Sequence, residues 1–541
     1  VGRKYQYFHQ CGKNPASISA LALARAAKEA GAMYLCPVQK PQALSLLKKL
    51  AGETAIYGTS SILSRLLHYV ILTPYFTRVF AQGEYGIVSD LYTWAALLLV
   101  LFTYRMETAF FRFGSREEDG GLEKSFSTAA ISLLTSTVVL VAVFILSAEA
   151  IADWLRYPDR PEYVRWFALI IGLDALAAIP FARLRLENRP LRFAIIKTLN
   201  IVINILFIFL FLEVGPWLIE RGWSSLERFY RWEERITYVF IANFLASGVV
   251  LLLLSPLLLK MQWVFNRALW RRMFVYAAPL IIVGVAGVIN QLIGIPMIKE
   301  LASEDLEYNI RMMGVYSAAT KIAVLMNLFT QAFNYAAEPF FFKNVGRADK
   351  DKVYAQVSQA FALVGSLVFL GIMLYLEVIQ YFLGRDFREG LGVVPLLLLA
   401  YIFLGLYYNF SIWFKLADRT AIGGWIATGG SVITIGLNIW LIPSMGYYGP
   451  GWAALACYLF MALASYWTGQ KYYPIPYPMG RIAAYILSSL AVFGLSLALD
   501  KALAPGLAAK LGLSTTLLAA WLGSILLLER RQVRGWLRRR P

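Results

Sequence analysis

The sequence predicts an all-α integral membrane protein of about fourteen transmembrane helices, and three observations lead there. Hydrophobic residues fill 59% of the 541 positions and charged ones only 16%, with a mean hydropathy of +0.59, too little polar surface to clothe ordinary soluble domains. Apolar runs of roughly 20 residues, enough to cross a hydrocarbon core of about 30 Å, recur between clusters of charge, Gly and Pro. The Lys and Arg residues concentrate in alternate connections, as they do where basic loops stay in the cytoplasm.

Taken in order, residues 1–46 precede the first run and read as a cytoplasmic extension of unassigned role. Their "ASISALALARAAKEAGAMYL" is broken by Arg25, Lys28 and Glu29, so it neither spans nor resembles a secretory signal. Helix 1 is expected over 55–80, helix 2 over 86–111, helix 3 over 125–147, helix 4 over 163–182, helix 5 over 193–213 and helix 6 over 236–259. The connection at about 214–235 is amphipathic, with Trp217, Trp223, Phe229 and Trp232 as interfacial anchors. Helices 7 to 12 are expected over 273–298, 313–338, 355–382, 391–414, 420–443 and 449–470, and helices 13 and 14 over 481–499 and 508–528. The expected organisation is an extension (1–46), a six-helix lobe (47–259), a second six-helix lobe (260–472), two added helices (473–528) and a basic tail (529–541).

Placing the N-terminus in the cytoplasm puts 33 basic residues inside and 14 outside, while acidic residues divide 11 inside and 19 outside. Both termini are therefore expected in the cytoplasm. The net charge of +18 is largely this asymmetry, and a nucleic-acid partner is not needed to explain it.

Catalytic constellations are scarce. With only His9 and His68, a His-based metal cluster or a Ser–His hydrolase has little to build on. There is no Walker A sequence; "GPGWAA" at Gly449 opens a membrane helix rather than following a strand, and "DKD" at Asp349 sits in a short charged loop. Cys11, Cys36 and Cys457 support neither a disulfide framework nor a zinc site, so no cofactor is expected.

What remains is charge inside the membrane, where an ionisable group at mid-depth costs roughly 2.5–3.5 kcal/mol unless it snorkels, pairs or faces water. Arg65, Arg105, Lys197 and Lys321 are the basic residues well within the spans, and Glu107, Asp174 and Glu338 are the acidic ones weighed with them. Lys197, Glu107 and Glu338 lie near span ends, whereas Arg65, Arg105, Asp174 and Lys321 need a wet or paired environment. In helix 8, Thr320, Asn327, Gln331, Asn334 and Glu338 follow at steps of seven, four, three and four, forming one polar stripe with Lys321 beside it. Ile322, Leu325, Phe329, Phe333 and Ala336 form the apolar side. Either a wet cavity or an interhelical hydrogen-bond seam accounts for the amides. For Lys321 a cavity is expected, and a cavity lined by cations suits an anionic ligand such as a diphosphate, with Asp174 as a pairing or titrating partner.

"GIVSDLYTWAALLLVLFTYRMETAFFRF" from Gly86 and "GVYSAATKIAVLMNLFTQAFNYAAEPFFF" from Gly314 share a Gly-apolar-x-Ser start, a central Phe-Thr and an acidic residue running into aromatics. Six helices separate them, so the halves are expected to be related by an axis along the membrane normal, with binding where they meet.

"LAGETAIYGTSSILSRLL" at Leu50, "YRMETAFFRF" at Tyr104, the helix 8 segment at Tyr316 and "LNIWLIPSMGYYGPGWAALACY" at Leu437 resemble the polysaccharide-transporter branch of the multidrug/oligosaccharidyl-lipid/polysaccharide (MOP) exporter superfamily, in particular bacterial O-antigen-type (Wzx) flippases. The resemblance covers about 47–530. It implies two six-helix lobes around a central cationic cavity that alternates between inward- and outward-open states in the bacterial inner membrane. It implies as cargo an undecaprenyl-diphosphate-linked oligosaccharide moved to the periplasmic leaflet, with other polysaccharide-assembly proteins as further partners. Related lipid II flippases use basic residues of helices 1, 2 and 8, and Arg65, Arg105 and Lys321 stand in the comparable helices here. The energy source is left open among membrane potential, a Na⁺ or H⁺ gradient, and removal of product. A drug/cation antiporter of the same superfamily is the alternative, one that acidic cavity residues would favour, and a lipid-linked glycan polymerase or ligase is a third.

Overall fold

The computed structural model describes residues 63, 65–115, 121–223, 230–343, 350–417, 419–504 and 506–529, without the side chains of 336, 338–340, 342, 343 and 415. The extension at 1–46 and the tail from 530 lie outside the described residues. Regular structure among the described residues is helical throughout. Its long helices are α1 (65–79), α2 (Gln82–Gly114), α3 (Gly121–Leu146), α4 (Pro161–Leu186), α5 (Pro190–Phe209), α6 (Arg235–Leu259), α7 (Arg267–Leu292), α8 (Leu306–Lys343), α9 (Lys350–Leu374), α10 (Val394–Phe410), α11 (Thr420–Met445), α12 (Tyr448–Tyr472), α13 (Met479–Leu503) and α14 (Leu507–Leu528). Twelve helical segments among the described residues are long and apolar enough to cross a membrane; α12 and the described part of α1 fall outside that set.

Local chemistry sets the ends. Pro161 and Pro190 open α4 and α5, where a missing N–H costs nothing, and the Asn266 side chain caps α7 by accepting from Leu269 N at 2.9 Å. Helix α2 is interrupted where Tyr104 and Arg105 both take left-handed backbone, at φ 34° and 56°, before the helix resumes at Met106. Neither residue is glycine, so the break holds strained backbone at membrane depth.

Helix α4 packs on α3 and α6, α6 on α5, and α2 joins this group through α4. Helix α10 lies against α12 and α9, α12 against α11, α11 against α7, and α9 against α13. The main seam between the groups is α2 on α8, and the two repeat motifs meet there. A Cβ on Gly314 would lie 1.8 Å from the Gln82 carbonyl oxygen, and one on Gly86 would lie 2.5 Å from that of Ile310. Only glycine permits this approach.

Gly314→Leu therefore forces the helices apart and is expected to lower the thermal unfolding midpoint in detergent, with overpacking costs of roughly 1–3 kcal/mol or more. Gly287→Leu, at a position with nothing within 4 Å of a built Cβ, should leave the midpoint nearly unchanged.

Candidate functional site

A cavity of about 380 Å³ lies among α1, α7, α8, α10 and α12 at membrane depth. Arg65 of α1 and Lys321 of α8 both line it, together with Asn327 and Gln331 of the polar stripe. Arg65 Nη1 donates to Gln331 Oε1 at 2.8 Å, and Gln331 Nε2 donates to Asn327 Oδ1 at 3.2 Å, so the stripe orients the guanidinium. Lys321 Nζ stands 5.4 Å from the centre of the Tyr69 ring. Lys321 has no ion-pair partner among the described residues, and no described carboxylate lines the cavity. Tyr316, Tyr401 and Tyr458 close its wall, and Tyr458 is fixed by donating to the Asn290 carbonyl at 3.2 Å.

A guanidinium and an ammonium facing one cavity, with no lining carboxylate among the described residues, form an anion site in electrostatic terms. Among the described residues no group of three His, Cys, Asp or Glu side chains is placed to hold a metal.

The other expected site residues lie elsewhere. Arg105 is not among the residues lining this cavity: it lies over Gly284 of α7 and approaches Glu107 at 3.7 Å. A Cβ at Gly284 would lie 2.5 Å from the Arg105 guanidinium, so glycine there makes room for the side chain. Asp174 is buried between α4 and α6, accepting a hydrogen bond from Ser247 Oγ at 2.8 Å. Asn334 is half-buried outside the cavity lining, and the Glu338 side chain lies outside the described ones. Tyr104, next to Arg105 in the break, packs on Ser132 and Phe274.

A second cluster had no place among the expected site residues. Asp90 of α2 and Lys299 of the short helix Gly294–Leu301 form an ion pair at 2.6 Å, their side chains 0% and 2% exposed. Tyr157 OH donates to the same Asp90 oxygen at 2.8 Å, and Lys299 Nζ also donates to the Leu155 carbonyl at 2.9 Å. Asp90 lies four residues inside the start of the expected helix 2 and Lys299 one beyond helix 7, both close to connections where a charge reaches water. The in-span position of Asp90 was the available signal.

Around this pair the end of the bundle opposite the basic loops is sealed. Arg311 donates to Gln82 Oε1 at 2.6 Å and pairs with Glu389 at 3.1 Å, Arg78 donates to the Tyr381 carbonyl at 2.8 Å, and Gly384 N donates to Thr77 Oγ1 at 3.0 Å. The elements thus joined are α1–α2 on one side and α8 with residues 380–393 on the other.

A family model described as polysaccharide biosynthesis protein matches residues 50–345, more than half of the chain. No curated protein matches the sequence. Among solved structures, the chain is similar to the lipid II flippase MurJ in an inward closed conformation, with a TM-score of 0.66, 13% identity, and coverage of 88% of this chain and 99% of that one. It is also similar to an inward-facing multidrug resistance MATE transporter of the MOP superfamily (TM-score 0.56, 14% identity, 81% and 94% coverage). A MATE in the straight conformation gives a TM-score of 0.53 at 14% identity, with 81% and 96% coverage. At these identities the likeness establishes the fold.

Proposed function

The chain belongs to the polysaccharide biosynthesis protein family and has the MOP transporter fold, and from that premise we propose that it is a flippase for undecaprenyl-diphosphate-linked oligosaccharide. The observation that carries this reading is the cavity holding Arg65 and Lys321 with no lining carboxylate among the described residues. A diphosphate entering it exchanges hydration for charge-assisted hydrogen bonds, Arg65 offering a planar fork and Lys321 a point charge. The polyprenyl tail stays in the bilayer while the head crosses, so the cost of moving a dianion through hydrocarbon is avoided.

In this account residues 47–259 and 260–472 are the moving lobes. The basic loops face the cytoplasm of a bacterial inner membrane, and the seal around Asp90 and Lys299 closes the periplasmic side. Alternation then requires that seal to break as contacts form at the other end. Arg105, on Gly284 at the seam between α2 and α7, is placed to act on the cargo when the lobes separate there. Other polysaccharide-assembly proteins are the partners in this scheme, and a membrane potential, a Na⁺ or H⁺ gradient, or product removal drives the cycle.

The cation-antiporter reading ranks below this one because Asp174, the acidic residue best suited to it, is bonded to Ser247 away from the cavity. The polymerase or ligase reading ranks third, since connections large enough for a catalytic loop are missing from the described residues.

Wild-type protein in sealed liposomes carrying a fluorescent undecaprenyl-diphosphate oligosaccharide tests the reading. Under an imposed potential or ion gradient, the label should become accessible to a membrane-impermeant quencher on the far side. Export of a cationic dye with the glycolipid left in its leaflet would give the function to the antiporter class.

A further inference from the structure

The basic face holds a second recess, away from the central cavity, where the α4–α5 connection meets the end of α6. It measures about 230 Å³, with Pro256 and Leu257 in its wall. Its charges are unevenly committed. Arg183 is held by Glu123 at 2.5 Å and Glu187 at 2.6 Å, and Glu187 also takes Arg189 at 3.0 Å. Two carboxylates thus balance two guanidiniums. Arg192 and Lys260, in the same recess, have no ion-pair partner among the described residues, so the recess carries two uncompensated positive charges.

At hydrocarbon depth on the same helices lies an apolar groove of about 520 Å³ between α3, α4 and α6, walled by Leu133, Leu176, Ile179, Leu251 and Leu258. Ser255, a hydroxyl in that wall, is spent on the Leu252 carbonyl at 2.7 Å. Groove and recess adjoin along α4, where Ile179 is one turn from Arg183 on the same face and the Arg183 guanidinium reaches across to Glu123 of α3. The residues that follow, Trp263, Val264 and Phe265, are 62%, 59% and 44% exposed, which marks this as headgroup level.

We propose that recess and groove together bind an anionic phospholipid of the leaflet on the basic face, its phosphate on Arg192 and Lys260 and one acyl chain in the groove. A zwitterionic lipid would fill the groove but bring no net charge to the two cations, and a free phosphate would satisfy the cations but leave the groove to bulk lipid. An anionic phospholipid does both, and each basic residue at the membrane surface adds about fivefold to its partitioning. The site lies wholly within the packed α3–α6 group, so it does not depend on the translocation reading.

The test is native mass spectrometry of the full chain in mild detergent with phosphatidylglycerol and phosphatidylcholine at equal concentration. Wild type is expected to retain phosphatidylglycerol preferentially, and Arg192→Gln/Lys260→Gln to lose that preference by roughly tenfold or more. The charge-keeping pair Arg192→Lys/Lys260→Arg should retain it. Gly248→Phe, pointing into the groove from α6, should weaken retention of both lipids. Unchanged melting temperatures confirm that the variants are folded, since neither pair touches the Arg183 contacts.

Equal retention of the two lipids by wild type, or undiminished phosphatidylglycerol on the Gln pair, would overturn the proposal. Displacement by millimolar inorganic phosphate would reduce the site to a simple anion pocket, and displacement by a polyprenyl diphosphate would make it a station for the cargo; either result also overturns it.

Discussion

Lys321→Glu is expected to abolish glycolipid translocation while leaving the protein folded. Among the described residues the cavity holds Arg65 and Lys321 against no lining carboxylate, so the substitution takes the charge of these from +2 to zero and puts a negative group against the diphosphate. At an effective dielectric of about 20 and a separation of about 5 Å, each unit charge is worth roughly 3 kcal/mol, so a two-unit swing exceeds a hundredfold loss. Lys321→Gln, which removes one unit, should fall between, and Lys321→Arg should keep most of the activity. Lys321 has no ion-pair partner among the described residues, so these changes should hardly move the unfolding midpoint. Leaflet transfer and thermal unfolding measured on the same preparations separate the two effects.

The second large effect concerns Asp90 and Lys299. Asp90→Leu leaves the Lys299 ammonium buried without its partner, and breaking a buried pair from one side costs about 3–5 kcal/mol. Both that variant and Lys299→Leu should loosen the seal between α2 and the segment after α7. A cysteine placed at Thr320, in the cavity lining, should then react with an impermeant thiol reagent from the side opposite the basic loops in either single variant, and not in an otherwise unaltered protein. Asp90→Leu/Lys299→Leu removes both charges and should recover much of the stability, because the net worth of a buried pair against an apolar replacement is small. A double variant no more stable than the singles would mean that packing around Tyr157 and Leu155, rather than the charges, holds this end shut.

The helical membrane class was legible because hydropathy and run length act locally, and each helix announces itself without reference to the others. The polar stripe of α8 was legible for the same reason: a period of 3.6 puts Asn327 and Gln331 on one face wherever the helix is placed. Lys321 stood out through the cost of a charge in hydrocarbon, and the structure has it line one cavity with Arg65. Periodicity says nothing about which helix faces which, and Arg105 shows the consequence. Its depth in the membrane was readable, but the left-handed break at Tyr104 and Arg105 turns the side chain onto Gly284, and no local signal foretold that break. Asp90 and Lys299 escaped because each sits near a helix end, where a lone charge ordinarily reaches water. Only the tertiary packing of α2 against the short helix after α7 buries them together. The glycine pair at 86 and 314 was read as a repeat signature, and its meaning as the contact point of the two halves required the fold.

The central claim is that the diphosphate head of the lipid occupies the cavity between Arg65 and Lys321. The most direct measurement is photo-crosslinking of a polyprenyl diphosphate carrying a diazirine beside its phosphates, followed by peptide mapping. Label is expected on α8 between Thr320 and Gln331 and on α10 near Tyr401, and should be lost in Arg65→Ala/Lys321→Ala. Label confined to lipid-facing surfaces, or undiminished in that double variant, would contradict the claim.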